Sequence, residues 1–488
     1  MSSVAFCTLG CKVNQYETDA MEELFAAAGY EIHSFKEKAD IYIVNTCSVT
    51  NIADHKSRQM LHQARKRNPD ALVVAVGCYV QAAQESLKAD HSVDLLVGNR
   101  RKADIVKIVE DFQKDRRNSV NRKQTDGVSF VSEKQADRTP FTSGKQTGKA
   151  SSISGKQVFA SASAVSDISR DRTYENLHVS HPSEHTRAYI KIQDGCNQFC
   201  SYCLIPYARG RVCSRPLPDI LSEAKHLVSC GYQEIVLTGI HISSYGLDFV
   251  DQEYNQHRQN TYLIQLVEEL SQVEHLKRIR LGSLEPGVIT EDFASRLSKM
   301  NNICPHFHIS MQSGCDQTLV RMNRHYTTKE YDSCCQILRR YFDQPALTTD
   351  VIVGFPGETE EEFEETRNFI EHIGFSQLHV FQYSKREGTK AANMEGQVSE
   401  QEKGARSAKL IDLGHRLWAE YVESLEGREV EILLEKRVQI QGISYMEGRT
   451  REYLKAVICG DDLVENTLVR GRILSKLNQD TVICERID

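Results

Sequence analysis

Nothing in the sequence offers a route into or across a membrane. The first residues, MSSVAFCTLGCK, have neither the basic start nor the long apolar stretch of a secretory signal. No apolar run reaches the roughly 20 residues that a transmembrane helix needs. A net positive charge is also lacking. The net charge of −7 excludes a uniformly basic nucleic-acid coat, though not local basic patches. A Walker-type phosphate loop is missing, because GFPGET (Gly354 to Thr359) is not followed by Gly-Lys-Ser/Thr. Fifteen cysteines is an odd number, spread too thinly over 488 residues for a secreted disulfide scaffold. The expectation is a cytoplasmic protein whose thiols stay reduced for metal.

What is present divides the chain into four parts. Residues 1–112 alternate apolar runs (4–9, 41–44, 72–76, 95–97) with helical stretches, the pattern of a doubly wound parallel sheet. Residues 113–185 are rich in Ser, Lys, Gln, Thr and Gly, and their apolar residues have no period. Between 113 and 160 ten Lys or Arg face four acids. A flexible basic linker or surface insertion is expected, either an RNA-tethering arm or a solvated spacer. Residues 186–425 resume the alternation, with strands expected at 189–193, 234–237, 278–281, 306–310, 349–353 and 378–383. Six β/α units predict a partial (β/α)6 barrel with its chemistry at the strands' C-terminal ends. Residues 426–488 hold short strands punctuated by glycine, the signature of a small β-barrel of the oligonucleotide-binding type. The fold class is therefore α/β with a small β appendage.

The densest information is DGCNQFCSYCLIPYARG (Asp194 to Gly210). Its Cys196, Cys200 and Cys203 follow an apolar strand in CxxxCxxC spacing. Three thiolates this close can hold three irons of a [4Fe–4S] cluster and leave the fourth for a small molecule. A zinc loop or reduced structural thiols are the alternatives. Three further cysteines, Cys11, Cys47 and Cys78, each lie just past an apolar run, in TLGCKVNQYE, IVNTCSVTN and VAVGCYVQ. Doubly wound sheets place their binding crevice beyond the carboxyl ends of the strands, so these thiols can converge on one pocket. Buried core cysteines are the alternative there, and Cys7, in mid-strand, fits it. The acids after GFPGET read as a helix start capped by Thr359, not as metal ligands.

The CxxxCxxC triad, the three N-terminal contexts and the barrel-like tail together resemble the methylthiotransferase family of radical SAM enzymes, over nearly the whole chain except 113–185. TLGCKVNQYET and VNTCSVT look most like the bacterial branch acting on N6-threonylcarbamoyladenosine at position 37 of tRNA. The resemblance implies two [4Fe–4S] clusters, on Cys196/Cys200/Cys203 and Cys11/Cys47/Cys78, with S-adenosylmethionine (SAM) at the first. It implies radical insertion of sulfur and methyl at adenine C2, and a C-terminal TRAM domain that binds RNA. It also implies tRNA, an electron donor of flavodoxin or ferredoxin type and a sulfur donor as partners. Thr238, Gly239, Ser283, Glu285, Gln312 and Arg324, at the strand ends, are then the SAM contacts. Tyr207, Arg209 and Arg211, with Arg449, Arg451 and Tyr453 in the tail, are the RNA contacts. Isopentenyladenosine-37 tRNA or a ribosomal-protein aspartate is the alternative substrate. A two-cluster electron carrier with an RNA-binding tail is the non-enzymatic alternative.

Overall fold

β-Branched runs buried on both faces can only be satisfied in the middle of a helix-covered sheet. The computed structural model, which describes residues 2–125, 162–180, 186–249 and 261–487, has such a sheet at its N-terminus. Its strands are Ser3–Thr8 (β1), Glu31–His33 (β2), Ile41–Thr46 (β3), Leu72–Gly77 (β4), Leu95–Val97 (β5) and Ala162–Ala164 (β6). All neighbours pair in parallel in the order β2-β1-β3-β4-β5-β6, so the direction of winding reverses between β1 and β3.

The segment 113–185, expected as a linker, is partly built into this domain. Residues 113–125 continue the helix Ile105–Thr125, and 162–164 form the edge strand β6. Gln84 Nε2 donates to Ser163 Oγ (2.6 Å) and Gln81 Nε2 to the Ser166 carbonyl (2.9 Å). Leu177 and Val179 are buried against Tyr16 and Ala20. The difference has a simple cause: an existing sheet edge supplies backbone partners, so β6 needs no apolar period of its own. Residues 126–161 and 181–185 lie outside the described residues.

The middle of the chain forms Arg187–Asp194 (β7), Cys213–Ser214 (β8), Glu234–Gly239 (β9), Arg278–Leu281 (β10), His306–His308 (β11), Ala346–Val353 (β12) and Gln377–Gln382 (β13). Strands β7, β9 and β10 are parallel, as are β11, β12 and β13. Bridges Ile279–Ile303 and Leu284–Ile309 join the two groups. The result is an open six-stranded parallel barrel, with β8 added antiparallel to β7. Alternate residues (Ile190, Ile235, Ile279, Phe307, Val351) enter the core under the outer helices. Their neighbours line a lumen that is largely polar: Lys191, Glu234, Arg280, His308, Asp350. Thr359 accepts from the Glu362 N–H in a full capping box, the helix start expected from GFPGET.

The tail closes into a five-stranded barrel of Glu429–Ile440 (β14), Ile443–Thr450 (β15), Lys455–Ile458 (β16), Leu468–Lys476 (β17) and Thr481–Arg486 (β18). Trp418, Val422 and Leu425 of the helix Glu400–Ser424 and its cap share its core. No helix among the described residues is long and apolar enough to cross a membrane.

Candidate active site

All six expected ligands sit at strand exits. Cys196, Cys200 and Cys203 follow β7, while Cys11, Cys47 and Cys78 follow β1, β3 and β4. The CxxxCxxC loop is braced from several sides. Gly195 opens it at φ +70°, where a Cβ would stand 1.9 Å from the Arg211 carbonyl oxygen, so only glycine fits. Phe199 also has positive φ, 50°. Its ring lies 4.6 Å from the Arg211 guanidinium and 5.8 Å from the Tyr207 ring. Asn323 Nδ2 donates to the carbonyls of Gln198 (3.2 Å) and Phe199 (3.1 Å).

Donors converge on the sulfurs. The N–H groups of Gln198 and Ile205 reach Cys196 Sγ (3.5 Å) and Cys203 Sγ (3.4 Å), and Arg324 Nη1 reaches Cys200 Sγ (3.3 Å). Such donors favour thiolate. Burial works against them, pushing Cys196 up to about 11 and Cys203 up to about 12. These two thiols are therefore protonated at neutral pH, and iron must displace their protons.

The N-terminal triad is held as tightly. Gly10 has φ +103°, and a Cβ there would lie 2.8 Å from Cys47 Sγ. Burial pushes the Cys47 thiol up to about 11. Cys78 Sγ accepts from Arg209 Nε (3.2 Å) and Asn99 Nδ2 (3.7 Å). Cys11 keeps accessible surface, and Arg209 and Cys78 act on it.

Tetrahedral Zn–S bonds of about 2.3 Å would bring three sulfurs within about 3.8 Å of each other, and neither triad has its three sulfurs mutually within 4.8 Å.

Arg209 ties the two domains together. Expected as an RNA contact, it is instead fully buried. Its Nη2 donates to Asn14 Oδ1 (2.6 Å), its Nη1 to Glu17 Oε1 (2.8 Å) and Asp194, and its Nε to Cys78. Glu17 also pairs with Lys191 (2.7 Å) and Lys102 (3.1 Å), and Lys191 with Asp194 (2.6 Å). Burial alone would raise the Glu17 carboxyl, but Arg209, Lys102 and Lys191 hold it well below its usual range. Asp194 is lowered in the same way, with Lys191 and Arg209 outweighing burial. Sequence reading missed Glu17, Lys102 and Lys191. A charged residue inside an apolar strand (Lys191 in YIKIQD) was the available signal.

Of the expected SAM contacts, Glu285 and Arg324 meet as an ion pair of 2.5 Å beside Cys200. Arg324 and His241 more than offset burial and keep the Glu285 carboxyl low. Thr238 is buried, Gly239 half-buried and Ser283 exposed, at the ends of β9 and β10. Gln312 has φ +66° and bridges to β12 through its backbone. Gln193, unforeseen, accepts from the His241 N–H (2.7 Å) and so joins the ends of β7 and β9.

Below this layer the lumen holds His308, Asp350 and His379, at neighbouring positions of β11, β12 and β13, with ligand atoms all within 4.8 Å of one another. At the floor, Tyr453 from the tail stacks on His306 (4.8 Å) and lies near Arg280 (4.7 Å), Arg449 (5.0 Å), Arg187 (5.2 Å) and Lys12 (5.7 Å). Arg451 Nη2 donates to the Asn301 and Ile303 carbonyls (2.6 Å each). These three tail residues dock the small barrel on the large one; the expected RNA contacts still exposed are Tyr207 and Arg211.

Tyr453 yields a direct prediction. Burial would raise its phenol, but Arg187, Lys12 and Arg449 outweigh it and bring it down to about 8. The folded state favours the phenolate. The associated stabilisation is therefore complete above the ordinary tyrosine value near 10 and disappears as the pH falls through about 8. A UV difference titration against Tyr453→Phe should show one phenolate with its midpoint near pH 8. A midpoint near 10 would refute the cation ring.

Comparison with known proteins now adds to this geometry. Residues 3–98 match the model described as Uncharacterized protein family UPF0004, and residues 190–370 match the Radical SAM superfamily. Threonylcarbamoyladenosine tRNA methylthiotransferase MtaB of Bacillus subtilis (strain 168) is 39% identical over 97% of this chain and 94% of its own length. The protein of that name from Aquifex aeolicus (strain VF5) is 34% identical over 92% and 97%. The tRNA-2-methylthio-N(6)-dimethylallyladenosine synthase of Methylacidiphilum infernorum (isolate V4) is 32% identical over 92% and 88%. Among solved structures, the radical S-adenosylmethionine methyltransferase TsrM from Kitasatospora setae superposes with a TM-score of 0.51 at 14% identity, covering 78% of this chain and 73% of that one, a likeness of fold alone.

Proposed function

The chain belongs to the methylthiotransferase family of radical SAM enzymes, and on that premise we propose that it inserts sulfur and a methyl group at C2 of N6-threonylcarbamoyladenosine at position 37 of tRNA. The observation that carries this reading is the pair of cysteine triads at strand exits of two adjoining domains, linked through Arg209 and Cys78. The 39% identity to the Bacillus subtilis threonylcarbamoyladenosine enzyme supports this nucleoside over the dimethylallyl one.

The family uses SAM and [4Fe–4S] clusters, which when bound supply a carbon-centred radical, the transferred sulfur and the methyl group. The protein's own groups do the placing. Cys196, Cys200 and Cys203 hold the cluster that serves SAM, and Cys11, Cys47 and Cys78 hold the second. Arg324 and Glu285 offer a guanidinium and a carboxylate to the amino-acid end of SAM, with Thr238, Gly239, Ser283 and Gln312 on the adjoining strand ends. Arg209 holds the two triads in register. The closed tail barrel acts as a TRAM-type RNA-binding module with residues 426–488, and exposed Tyr207 and Arg211 offer stacking and charge to the RNA. A flavodoxin- or ferredoxin-type donor supplies electrons, and a separate donor replenishes sulfur.

The decisive experiment separates the two triads. The Cys11/Cys47/Cys78 triple alanine variant should still cleave SAM reductively to 5′-deoxyadenosine but yield no methylthiolated nucleoside by mass spectrometry. Normal product from that variant would remove the N-terminal triad from the chemistry. Digests of tRNA from a deletion strain, with and without complementation, identify the nucleoside itself.

A further inference from the structure

The floor of the barrel lumen gathers five cations, of which three are paired among the described residues. Arg187, Arg278 and Arg280 each pair with a glutamate: Glu435 (3.0 Å), Glu431 (2.9 Å) and Glu234 (2.7 Å). Lys12 and Arg449 have no carboxylate within ion-pair distance among the described residues. The Lys12 ammonium lies over aromatic faces instead, 5.9 Å from the Tyr189 centroid and 5.7 Å from that of Tyr453. Lys12 nevertheless keeps accessible surface. Arg187 and Arg280 crowd its ammonium and Glu234 acts on it only beyond ion-pair distance, so the position favours an added anion.

Its position says what the anion is. Lys12 follows Cys11 directly, so one residue faces the N-terminal triad while the next reaches toward the floor, where His306 and Tyr453 stack. In adenine, C2 and C6 flank N1, so the C2–H bond and the N6 substituent leave the same edge of the ring about a third of a turn apart. An adenine with C2 toward Cys11 can therefore present its N6 substituent to the neighbouring Lys12. The threonylcarbamoyl group ends in a carboxylate; a dimethylallyl group ends in methyls.

We propose that Lys12, with Arg449 behind it, is the carboxylate clamp that selects the threonylcarbamoyl substituent over uncharged N6 groups. The inference rests on the function proposed above. It assigns substrate choice to the residue beside the first cysteine and to a floor completed by the tail barrel.

The test uses reconstituted holoenzyme and three anticodon stem-loops, bearing at one adenine the threonylcarbamoyl group, its methyl ester or a dimethylallyl group. All substrates are compared within one preparation, so any partial loss of iron cancels in the ratio. The wild type should prefer acid to ester by on the order of 100-fold in kcat/KM, the loss expected when a charged group is left unpaired. Lys12→Gln should shrink that ratio to within about threefold, chiefly by worsening the acid, and Lys12→Arg should restore most of it. Equilibrium binding of the three RNAs should follow the same order. A wild type indifferent to esterification overturns the clamp, as does a Lys12→Gln variant that lowers acid and ester in proportion, the behaviour of a backbone-phosphate contact. A wild type that methylthiolates none of the three would instead sink the functional reading, and the clamp with it.

Discussion

Replacing Cys196, Cys200 and Cys203 together with alanine should leave about four of the eight irons of two cubanes and abolish methylthiolation of tRNA. The expected loss exceeds about 10⁴-fold and reaches the floor of the assay, because an unactivated C–H bond has no competing polar route. SAM cleavage should vanish as well, which distinguishes this variant from the N-terminal one. The loop itself should persist. Its turn depends on Gly195, on the Asn323 side chain holding the Gln198 and Phe199 carbonyls, and on Arg211 against the Phe199 ring, none of which needs sulfur. Near-full iron in the triple variant would sink the assignment. So would surviving 5′-deoxyadenosine production.

The second large effect is structural and needs no cofactor. Glu17→Gln keeps the shape of the side chain but removes the anion that Arg209, Lys102 and Lys191 share. Asp194, with Glu175 near Lys102 and Lys191, is then left to balance those three cations, and the variant should be less stable by about 3–5 kcal/mol, as when one partner of a buried pair is removed. Denaturant unfolding measures this, with Lys102→Met added to Glu17→Gln as the partner cycle: removing one orphaned cation should recover part of the loss. A cost below about 1 kcal/mol would mean the site is wet and screened. The pH dependence follows the same logic. The depressed carboxyls of Glu17 and Asp194 give stability that is complete above the ordinary carboxylate range near 4 and is lost as acid carries the pH down toward their folded values. Wild type should therefore weaken in acid more steeply than Glu17→Gln.

Much of the frame was readable from periodicity. Strand β10 matches its expected span residue for residue, and the other five barrel strands overlap theirs, because the residues between turns alternate between the helix-facing core and the lumen. Strand β15 was not foreseen: Glu447 and Arg449 interrupt its apolar pattern, and it is held by pairing with β14 and β16. The thiol positions were legible because a cysteine after an apolar run is a strand exit. What stayed hidden is charge inside the fold. Arg209 reads as a surface residue next to Tyr207, and only the tertiary arrangement shows that Asn14 and Glu17, nearly 200 positions earlier, surround it. His308, Asp350 and His379 stand far apart in sequence, and the barrel's register brings them side by side. Edge strand β6 lacked a signal of its own, since Ala-Ser-Ala has no period.

The separation between Glu17 and Arg209 also sets a clock. The N-terminal sheet is complete only when β6 has been made, and its helix Lys12–Ala27 meets its barrel partners later still. The Glu17–Arg209 contact spans 192 residues. At synthesis rates of about 5–20 residues per second, Glu17 leaves the ribosome about 10–40 s before Arg209 exists. During that interval a carboxylate destined for the interior, and the thiols beside it, face water and whatever else is dissolved there. The nascent first domain is thus the stage at which stray metal, oxidant or a misplaced partner strand can do most harm, and protection by chaperones or by an early iron donor would matter most then.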